Sequence, residues 1–520
     1  MILWGYNPSG TTESGLMIRQ IFDAKEKGAK LIVIDPLLTP LAAKADIWGQ
    51  IRPGTDCALA LAMLNVIVNE ELYDRDFVNK WTYGFEKLEE HIQEFPPEKM
   101  EKITWIKAEV IREIARTYAT YKPACIYDGN GLDQYPNCVQ TARAICILRA
   151  ITGNLDVPGG DLIPDTIPTV DITLKGMLPK GVKPVDDFPL FREFTGQVPA
   201  PSVIDAILTG KPYPVKAMIV QGGNPALTLA NSTKVREALR KLEFLVVMDL
   251  FFTRTAELAD IILPAATSFE KTGLTAYPSL RTNFIMLQQK VIEPLGESWP
   301  DWKFWFELAK KMGYRQEFPW KDVEEAIDEL ISPSGLTVAK LKEGPILLPR
   351  RYKKFEEKGF PSIPSGKVQI YSEILKDHGF EPLPTYIEPP ETPTSRPELL
   401  GKYPLMGVCW PRSVYVHTQH RNVPWLRSLD PDPLVRINPK DANERNIEDG
   451  CAVIITSPRG SIKVKAKVTQ KVPLGIVAIS WGWGQTIIEA NINDLTDDTV
   501  RDPITGTTPN RLFLCEVQKI

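Results

Sequence analysis

The amino-acid sequence predicts an α/β protein built around two related parallel-sheet units and followed by a region of short strands. Three observations carry this. A strand–loop–helix–strand pattern occurs twice, first as "ILWGYNPSG" leading to "LIVIDPLLTPLAAKADI", then as "MIVQGGNPA" leading to "LVVMDLFFTRTAELADI". The second strand of each copy is a short apolar run ending in Asp, which suits a strand buried on both faces of a parallel sheet. Beyond residue 433, "LVRINP", "CAVIITS", "GSIKVKAKV" and "GIVAIS" are short β-rich runs split by turns.

The bulk properties set the frame. A chain of 520 residues is too long for one hydrophobic core and divides into about three or four domains. Its net charge of −4 and pI near 5.9 give no electrostatic footprint for nucleic acid. No apolar run reaches the roughly 18–20 residues needed to span a bilayer, and no secretory leader precedes the first strand, so the expected compartment is cytoplasmic. The seven cysteines, Cys57, Cys125, Cys138, Cys146, Cys409, Cys451 and Cys515, are irregularly spaced and form no C-x-x-C, which argues for free thiols rather than a disulfide framework or a zinc site. With only His91, His378, His417 and His420 available, no protein metal ligands are assigned.

In the first copy, Ile2–Trp4 leads into Gly5 and Asn7-Pro8. "TESGLMIRQIFDAKEKGAK" then carries apolar residues at three- and four-residue steps, the signature of a crossover helix, and "LIVI" ends at Asp35. In the second copy, Asn224-Pro225 matches Asn7-Pro8, "STKVREALRKLE" is the crossover helix, and "LVVM" ends at Asp249. Thr39 matches Thr253 and Asp46 matches Asp260. The Asp-to-Asp spacing is 11 in both copies, and the Asn-to-Asp spacings of 28 and 25 differ by what one loop absorbs. Each copy is a βαβ unit, right-handed by default, whose ligands sit beyond the carboxyl ends of the strands. Glycine there lets backbone approach a phosphate, a helix N-terminus offers free N–H groups, and an acid at the end of the second strand accepts from ribose hydroxyls. Taken singly, each G-x-N-P is also a common turn; the paired matches make two nucleotide-like sites the stronger reading. The G-x-G-x-x-G fingerprint of ordinary NAD-binding folds is absent. Residues 160–215, before the second copy, read as irregular, proline-rich loops, and "HGFEPLPTYIEPPETPTSRPELLGKYPL", ahead of the C-terminal strands, reads as a linker.

These residues carry a family pattern. "DPLLTPLAAKADIWGQIRPGTDCALALAM", "QTARAICILRAITGNLDVPGG", "AELADIILPAATSFEKTG", "PLGESWPDWKFWFELAKKMG" and "INPKDANERNIEDGCAVIITSPRGSIKVKAKVT" occur in this order. Across essentially its whole length the chain resembles the dimethyl sulfoxide reductase superfamily, molybdenum and tungsten enzymes that bind two molybdopterin guanine dinucleotides. "YVHTQHRNVPWLR" and "GNGLDQYPNCVQTARAI" look most like its acetylene-hydratase-like branch.

The resemblance implies two pseudo-related Rossmann-like domains, residues 1–145 and 146–300, each holding one dinucleotide. It also implies a partly helical connecting domain and linker over 301–395, and a six-stranded closed β-barrel over 396–520 that caps both. By matching positions, Gly5, Asn7, Asp35, Thr39, Gly54 and Asp56 line one dinucleotide site, with Asp56 accepting from guanine N–H donors. Gly222, Asn224, Asp249 and Thr253 line the other. Leu37 stands where the family has Arg. His417, Gln419, Asn493 and Arg511 match cofactor contacts. His420 and Arg421 belong to the segment that reaches the cofactor and substrate, although "HTQHR" also reads as a solvated strand end. Arg143 matches an arginine that orients an anionic substrate near the metal in formate-oxidising relatives, where a fixed cation is useful; a salt bridge from its helix to a carboxylate is the alternative.

The function implied is the catalytic-subunit portion of an oxidoreductase that moves two electrons, oxygen or sulfur at Mo or W, acting on a small molecule. The alternatives are a non-redox hydratase, a cofactor-binding non-catalytic subunit and a plain nucleotide-binding regulator. Family members normally carry, before the first Gly-Asn loop, four cysteines for a 4Fe-4S cluster and a Cys, selenocysteine or Ser that ligates the metal. Met1 lies inside the first cofactor strand. The expectation is that an iron–sulfur segment comes from a separate subunit or was lost from the reading frame, use of the cofactor without a protein ligand being the third option. On either of the first two, the chain alone binds cofactor weakly and shows no turnover.

Overall fold

The structure, a computed structural model, describes all residues except 11–14, 166, 173, 175–180, 182, 276–282, 411–413 and 485–488. Both repeats form as the sequence predicts. In the first, four parallel strands lie in the order Ile47–Gly49, Ile32–Ile34, Ile2–Trp4, Ile126–Asp128. In the second, three parallel strands lie in the order Ala217–Gln221, Phe244–Asp249, Ile261–Pro264. Helix Gly15–Glu26 follows the first loop, and Ser232–Lys241 is the longer of two helices that follow the second.

The main core forms around helix Asp56–Asn69, which is buried from Asp56 through Val68. Its sequence "DCALALAMLNVIVN" has no polar stripe, as expected of a helix surrounded by other elements. Helix Cys138–Ile151 packs on it, and Ile145, Ile147, Leu148 and Ile151 join the same core. This helix runs across residue 145, so the first unit extends past the boundary expected there. A small antiparallel sheet likewise crosses residue 300, pairing Phe284–Gln288 with Gly273–Thr275 and with Ile346–Leu347.

The C-terminal strands close into a six-stranded barrel in the order Leu405–Trp410, Ile476–Ser480, Leu434–Ile437, Ser461–Val468, Ala452–Thr456, Phe513–Lys519. Strand Ser461–Val468 alternates exposed and buried positions, placing Ile462, Val464 and Ala466 in the barrel core, the period-two pattern of a half-buried strand.

Two proline-rich stretches are more ordered than their composition implies. Part of 160–215 lies outside the described residues, but it contains helices Pro189–Thr195 and Ala200–Thr209. Pro189 and Pro201 occupy first-turn positions, where the missing N–H is not needed. Ile204 and Ile207 enter the core of the second unit. The expected linker is a docked strap: Leu383 and Tyr386 pack on the first core, while Glu391 and Thr392 are buried. All seven cysteines are free. No helix among the described residues is long and apolar enough to cross a membrane.

Candidate functional site

The two repeats agree at the level of single hydrogen bonds. Gly5 and Gly222 have φ of +56° and +55°, a conformation glycine adopts without strain. Gly5 N–H donates to Ile34 O (3.1 Å) and Gly222 N–H to Met248 O (3.0 Å), tying each loop to the residue before the strand-end acid. Asp35 accepts from Leu37 N–H, and Asp249 from the N–H groups of Leu250 and Phe251. Thr39 Oγ1 accepts from Ala42 N–H and Thr253 Oγ1 from Ala256 N–H. Asp46 and Asp260 accept from Leu31 and Leu245, fixing the start of each second strand.

A cavity of about 1020 Å³ opens over the strand ends of the first unit. Gly5, Asn7, Asp35, Thr39, Gly54 and Asp56 all line it. From the second unit Thr228 reaches its wall, and from the C-terminal region Asn493, His417, Arg421 and Arg511 do so. The cavity therefore lies between both repeats and the barrel. Gly222, Asn224, Asp249 and Thr253 are not on its wall, although they reproduce the geometry of the first loop.

Asp56 is buried and Asp35 half-buried on the cavity wall, and among the described residues neither is ion-paired. Burial raises Asp35 to about 7, with the neighbouring Asp56 adding to the shift, and burial raises Asp56 to about 6 against the donation of Trp4 Nε1 at 2.9 Å. Such carboxylates call for hydrogen-bond donors from a ligand. In the second unit, Asn224 Oδ1 accepts from Thr255, while its buried Nδ2 has no partner among the described residues. The space a Cβ would take at Gly222 is open. Acceptors in one unit and a spare donor with backbone access in the other fit a ligand carrying N–H, O–H and phosphate groups. Leu37, where the resemblance implies Arg, is buried with Met406, Val408 and Leu512 of the barrel region. An apolar side chain suits that packing.

The "HTQHR" segment is held by its own arginine. Arg421 Nη1 donates to His417 O and Nη2 to Trp481 O, both at 2.8 Å, with the guanidinium 4.5 Å from the Tyr415 ring centroid. These contacts make Arg421 the clamp of the loop. His417 stacks edge-on against Trp481; His420 and Gln419 are exposed and do not line the cavity. A Cβ on Gly482, at φ +81°, would stand 2.3 Å from His417 O and 2.7 Å from Arg421 Nη2. Gly482→Ala should therefore cost about 2 kcal/mol or more by urea unfolding. Gly450→Ala, at φ +84° with open space around it, should cost only the backbone strain of about 1 kcal/mol.

Arg143 does not line the cavity, and among the described residues it forms no ion pair with a carboxylate, so the salt bridge expected as its alternative is not seen. It donates instead to Gln140 Oε1 and to the carbonyls of Ile370 (3.0 Å) and Pro382 (2.8 Å). Burial without a countercharge pulls it to about 10, so it stays charged while pinning the strap. Sequence reasoning also missed the wall formed by Gly129, Asn130, Gly131 and Tyr135. Cβ positions on Gly129 and Gly131 would each meet Gly5 O at 2.6 Å, so this loop and the first Gly-Asn loop pack backbone to backbone. The signal was a glycine-rich turn directly after strand Ile126–Asp128. Among the described residues, no group of three or more His, Cys, Asp or Glu side chains is arranged to hold a metal ion. Arg511 lines the cavity and donates to Gln134 Oε1.

Residues 1–311 match the family described as Molybdopterin oxidoreductase, and residues 410–513 match the Molydopterin dinucleotide binding domain. Acetylene hydratase of Syntrophotalea acetylenica is 34% identical over 495 residues, spanning 88% of this chain and 67% of that protein. F420-dependent formate dehydrogenase subunit alpha of Methanocaldococcus jannaschii is 33% identical over 526 residues, spanning 97% and 74%. The solved structure of acetylene hydratase from Pelobacter acetylenicus superposes with a TM-score of 0.91 at 31% identity, covering 100% of this chain and 78% of that one. With the first match spanning both parallel-sheet repeats and the second most of the barrel, the chain belongs to the molybdopterin oxidoreductase family.

Proposed function

We propose that this chain holds a bis-molybdopterin guanine dinucleotide cofactor carrying molybdenum or tungsten, as the catalytic portion of a two-electron oxidoreductase acting on a small molecule. The observation that supports it most is the doubled Gly–Asn–Asp unit, whose first copy lines the cavity while the second reproduces its hydrogen bonds and adds Thr228 to the wall. Asp35 and Asp56 would hold the ribose and guanine donors of one dinucleotide, with Gly5, Asn7, Thr39 and Gly54 shaping the loop around it. Gly222, Asn224, Asp249 and Thr253 would hold the other. Asn493, Arg511 and His417 would close the barrel side, and Arg421 would keep His417 in place. His420 and Gln419 stand on the same clamped loop, open to solvent. When bound, the cofactor supplies either two-electron redox chemistry or activation of water. The protein's part is to orient it, accept its hydrogen bonds and exclude bulk water. For the redox reaction, electrons would leave through a 4Fe-4S cluster on a further segment or subunit.

The second reading is a hydratase, favoured by the likeness to acetylene hydratase in both sequence and structure. Metal analysis and mass spectrometry of material from the native source test the cofactor: the expected result is Mo or W with two guanine dinucleotides per metal. Formate-dependent reduction of a viologen dye supports the redox reaction. Water addition to acetylene without any electron acceptor supports the hydratase. Bound guanine nucleotide without pterin or metal overturns both.

A further inference from the structure

Two aromatic side chains of the cavity wall share one support. Tyr135 stands in the loop after strand Ile126–Asp128, and Trp410 ends the barrel strand Leu405–Trp410; both are half-buried and both line the cavity. Both pack on the apolar cluster that Leu37 of the first unit forms with Met406, Val408 and Leu512. Trp410 joins it because Met406, Val408 and Trp410 share one face of their strand by its period of two. The cluster places the rings beside the two acids. Leu37 N–H donates to Asp35, and a Cβ on Gly54, two residues before Asp56, would lie 3.1 Å from Tyr135 Cε1. Each ring keeps one feature that this packing does not use. The Arg436 guanidinium lies 4.2 Å from the Trp410 ring centroid, and a cation over one face leaves the other for a second flat partner. The Tyr135 hydroxyl has no hydrogen-bond partner among the described residues. Burial, and after it the charge of Asp56, raises that hydroxyl, so it keeps its proton and offers an O–H. Carboxylate acceptors, an O–H donor and a ring face on one wall suit a base that carries N–H donors beside an oxygen acceptor on one edge, which is the pattern of guanine.

We propose that Tyr135 and Trp410 complete a guanine slot with Asp56: the base lies on the Trp410 ring, and the Tyr135 hydroxyl donates to its 6-oxygen while Asp56 accepts from its N–H groups. The inference rests on the reading of the first unit as a guanine dinucleotide site, and it adds which side chains hold and select the base. The two residues divide the work in a way that can be read separately. Stacking tolerates any base, so Trp410 sets affinity without discrimination. The hydroxyl acts on a base that has the 6-oxygen, so Tyr135 sets selectivity.

The test is calorimetric titration of the full chain with three probes: guanosine diphosphate, the diphosphate of 2-aminopurine riboside, which is flat but lacks the 6-oxygen, and inorganic pyrophosphate, which has no base. Trp410→Leu should weaken both nucleotides alike, by about 5- to 150-fold, and leave pyrophosphate unchanged. Trp410→Phe, which keeps a ring, should restore most of that affinity and controls for damage to the fold. Tyr135→Phe should weaken guanosine diphosphate by about 2- to 10-fold and leave the 2-aminopurine analogue unchanged, so the ratio of the two affinities falls by the same factor. The proposal is overturned if either variant binds guanosine diphosphate as the parent does, if the Trp410→Leu loss extends to pyrophosphate, if Trp410→Phe binds as weakly as Trp410→Leu, or if Tyr135→Phe weakens both purines equally. Each of these results leaves the dinucleotide reading standing. A parent chain that binds no guanosine diphosphate overturns that reading and the slot together, so the two failures are told apart.

Discussion

Glu388→Ala is expected to destabilise the chain by about 3 kcal/mol, the low end of what breaking a buried ion pair costs, because the remaining charge stays desolvated. Arg52 has a side chain only 6% exposed, against 24% for Glu388. Its two terminal nitrogens donate to the two Glu388 oxygens at 2.7 Å and 2.6 Å, the bidentate geometry that makes such pairs strong. Tyr386 OH and Thr392 Oγ1 donate to the same carboxylate. Burial alone would raise Glu388, but the hydrogen bonds from Arg52, Thr392 and Tyr386 outweigh it and hold the carboxyl below its ordinary range. The stabilisation is therefore present at neutral pH and is lost as acid protonates the group. After truncation Arg52 keeps, among the described residues, Ile103 O and Tyr386 OH as acceptors. The loss should extend to the site. Arg52 begins the Arg52-Pro53-Gly54-Thr55-Asp56 turn, and a Cβ on Gly54 would lie 2.6 Å from Pro389 Cγ, so the strap is the floor on which the Asp56 loop rests. Urea unfolding and guanine nucleotide retention should fall together. Glu388→Gln, which keeps the shape and one neutral acceptor, should lose roughly half as much. A Glu388→Ala chain within 1 kcal/mol of the parent would show that the strap is a passive linker.

The strap also shows where sequence reading runs out. Proline-rich composition reports local backbone preference, and that part was right: the strap has almost no regular structure. Composition carries no information about docking partners far along the chain. The pairs Arg52–Glu388 and Arg459–Glu391 join residues with nothing between them to signal contact. The partners of Arg143 were hidden for the same reason. A helix position specifies that an arginine points at something, but whether a carboxylate or two carbonyls wait there is decided by residues 370 and 382. The repeat was legible because each part of it is local: an apolar strand, a glycine loop and an acid at a fixed step. The barrel was legible through alternation, as in "SIKVKAKV". The Gly129–Gly131 wall was within reach, since it repeats the rule of glycine directly after a parallel strand. Where the repeat is locally faithful but differently covered, as at buried Leu37 and exposed Phe251, only the packed structure separates the two.

Binding of guanosine diphosphate, as a probe of one half of the dinucleotide, is expected to strengthen as pH rises from 5 to 8 and to release protons. In the free chain burial holds Asp56 near 6 and Asp35 near 7, so both carry protons over part of this range. Ribose hydroxyls and guanine N–H groups donate to the ionised form, so the bound state favours loss of the proton and affinity climbs with pH until both groups are ionised. The two acids lie close enough for each to sense the other, and the midpoints belong to the pair. Their effect on folding has the opposite direction. A carboxyl raised above its unfolded value contributes stability that is fully present below that value and lost as pH rises through its folded value. The free chain should thus lose the contribution of these two groups between about pH 4 and 7, from the ordinary carboxyl value to the raised ones, and ligand should restore it. Asp56→Asn keeps the shape but cannot ionise and replaces one acceptor by a donor facing donors. Affinity should drop about 10- to 150-fold, corresponding to the 1.5–3 kcal/mol of a charged hydrogen bond. One of the two pH transitions should disappear and the remaining one move down, since Asp35 loses its charged neighbour, while Trp4 Nε1, which donates to Asp56 Oδ1 at 2.9 Å, keeps an oxygen to donate to. Calorimetric titration in buffers of different ionisation enthalpy reads the affinity and the proton count together. Tight binding with no proton release and no pH dependence would place the guanosine away from these two carboxylates and remove the physical basis for assigning them to the ligand.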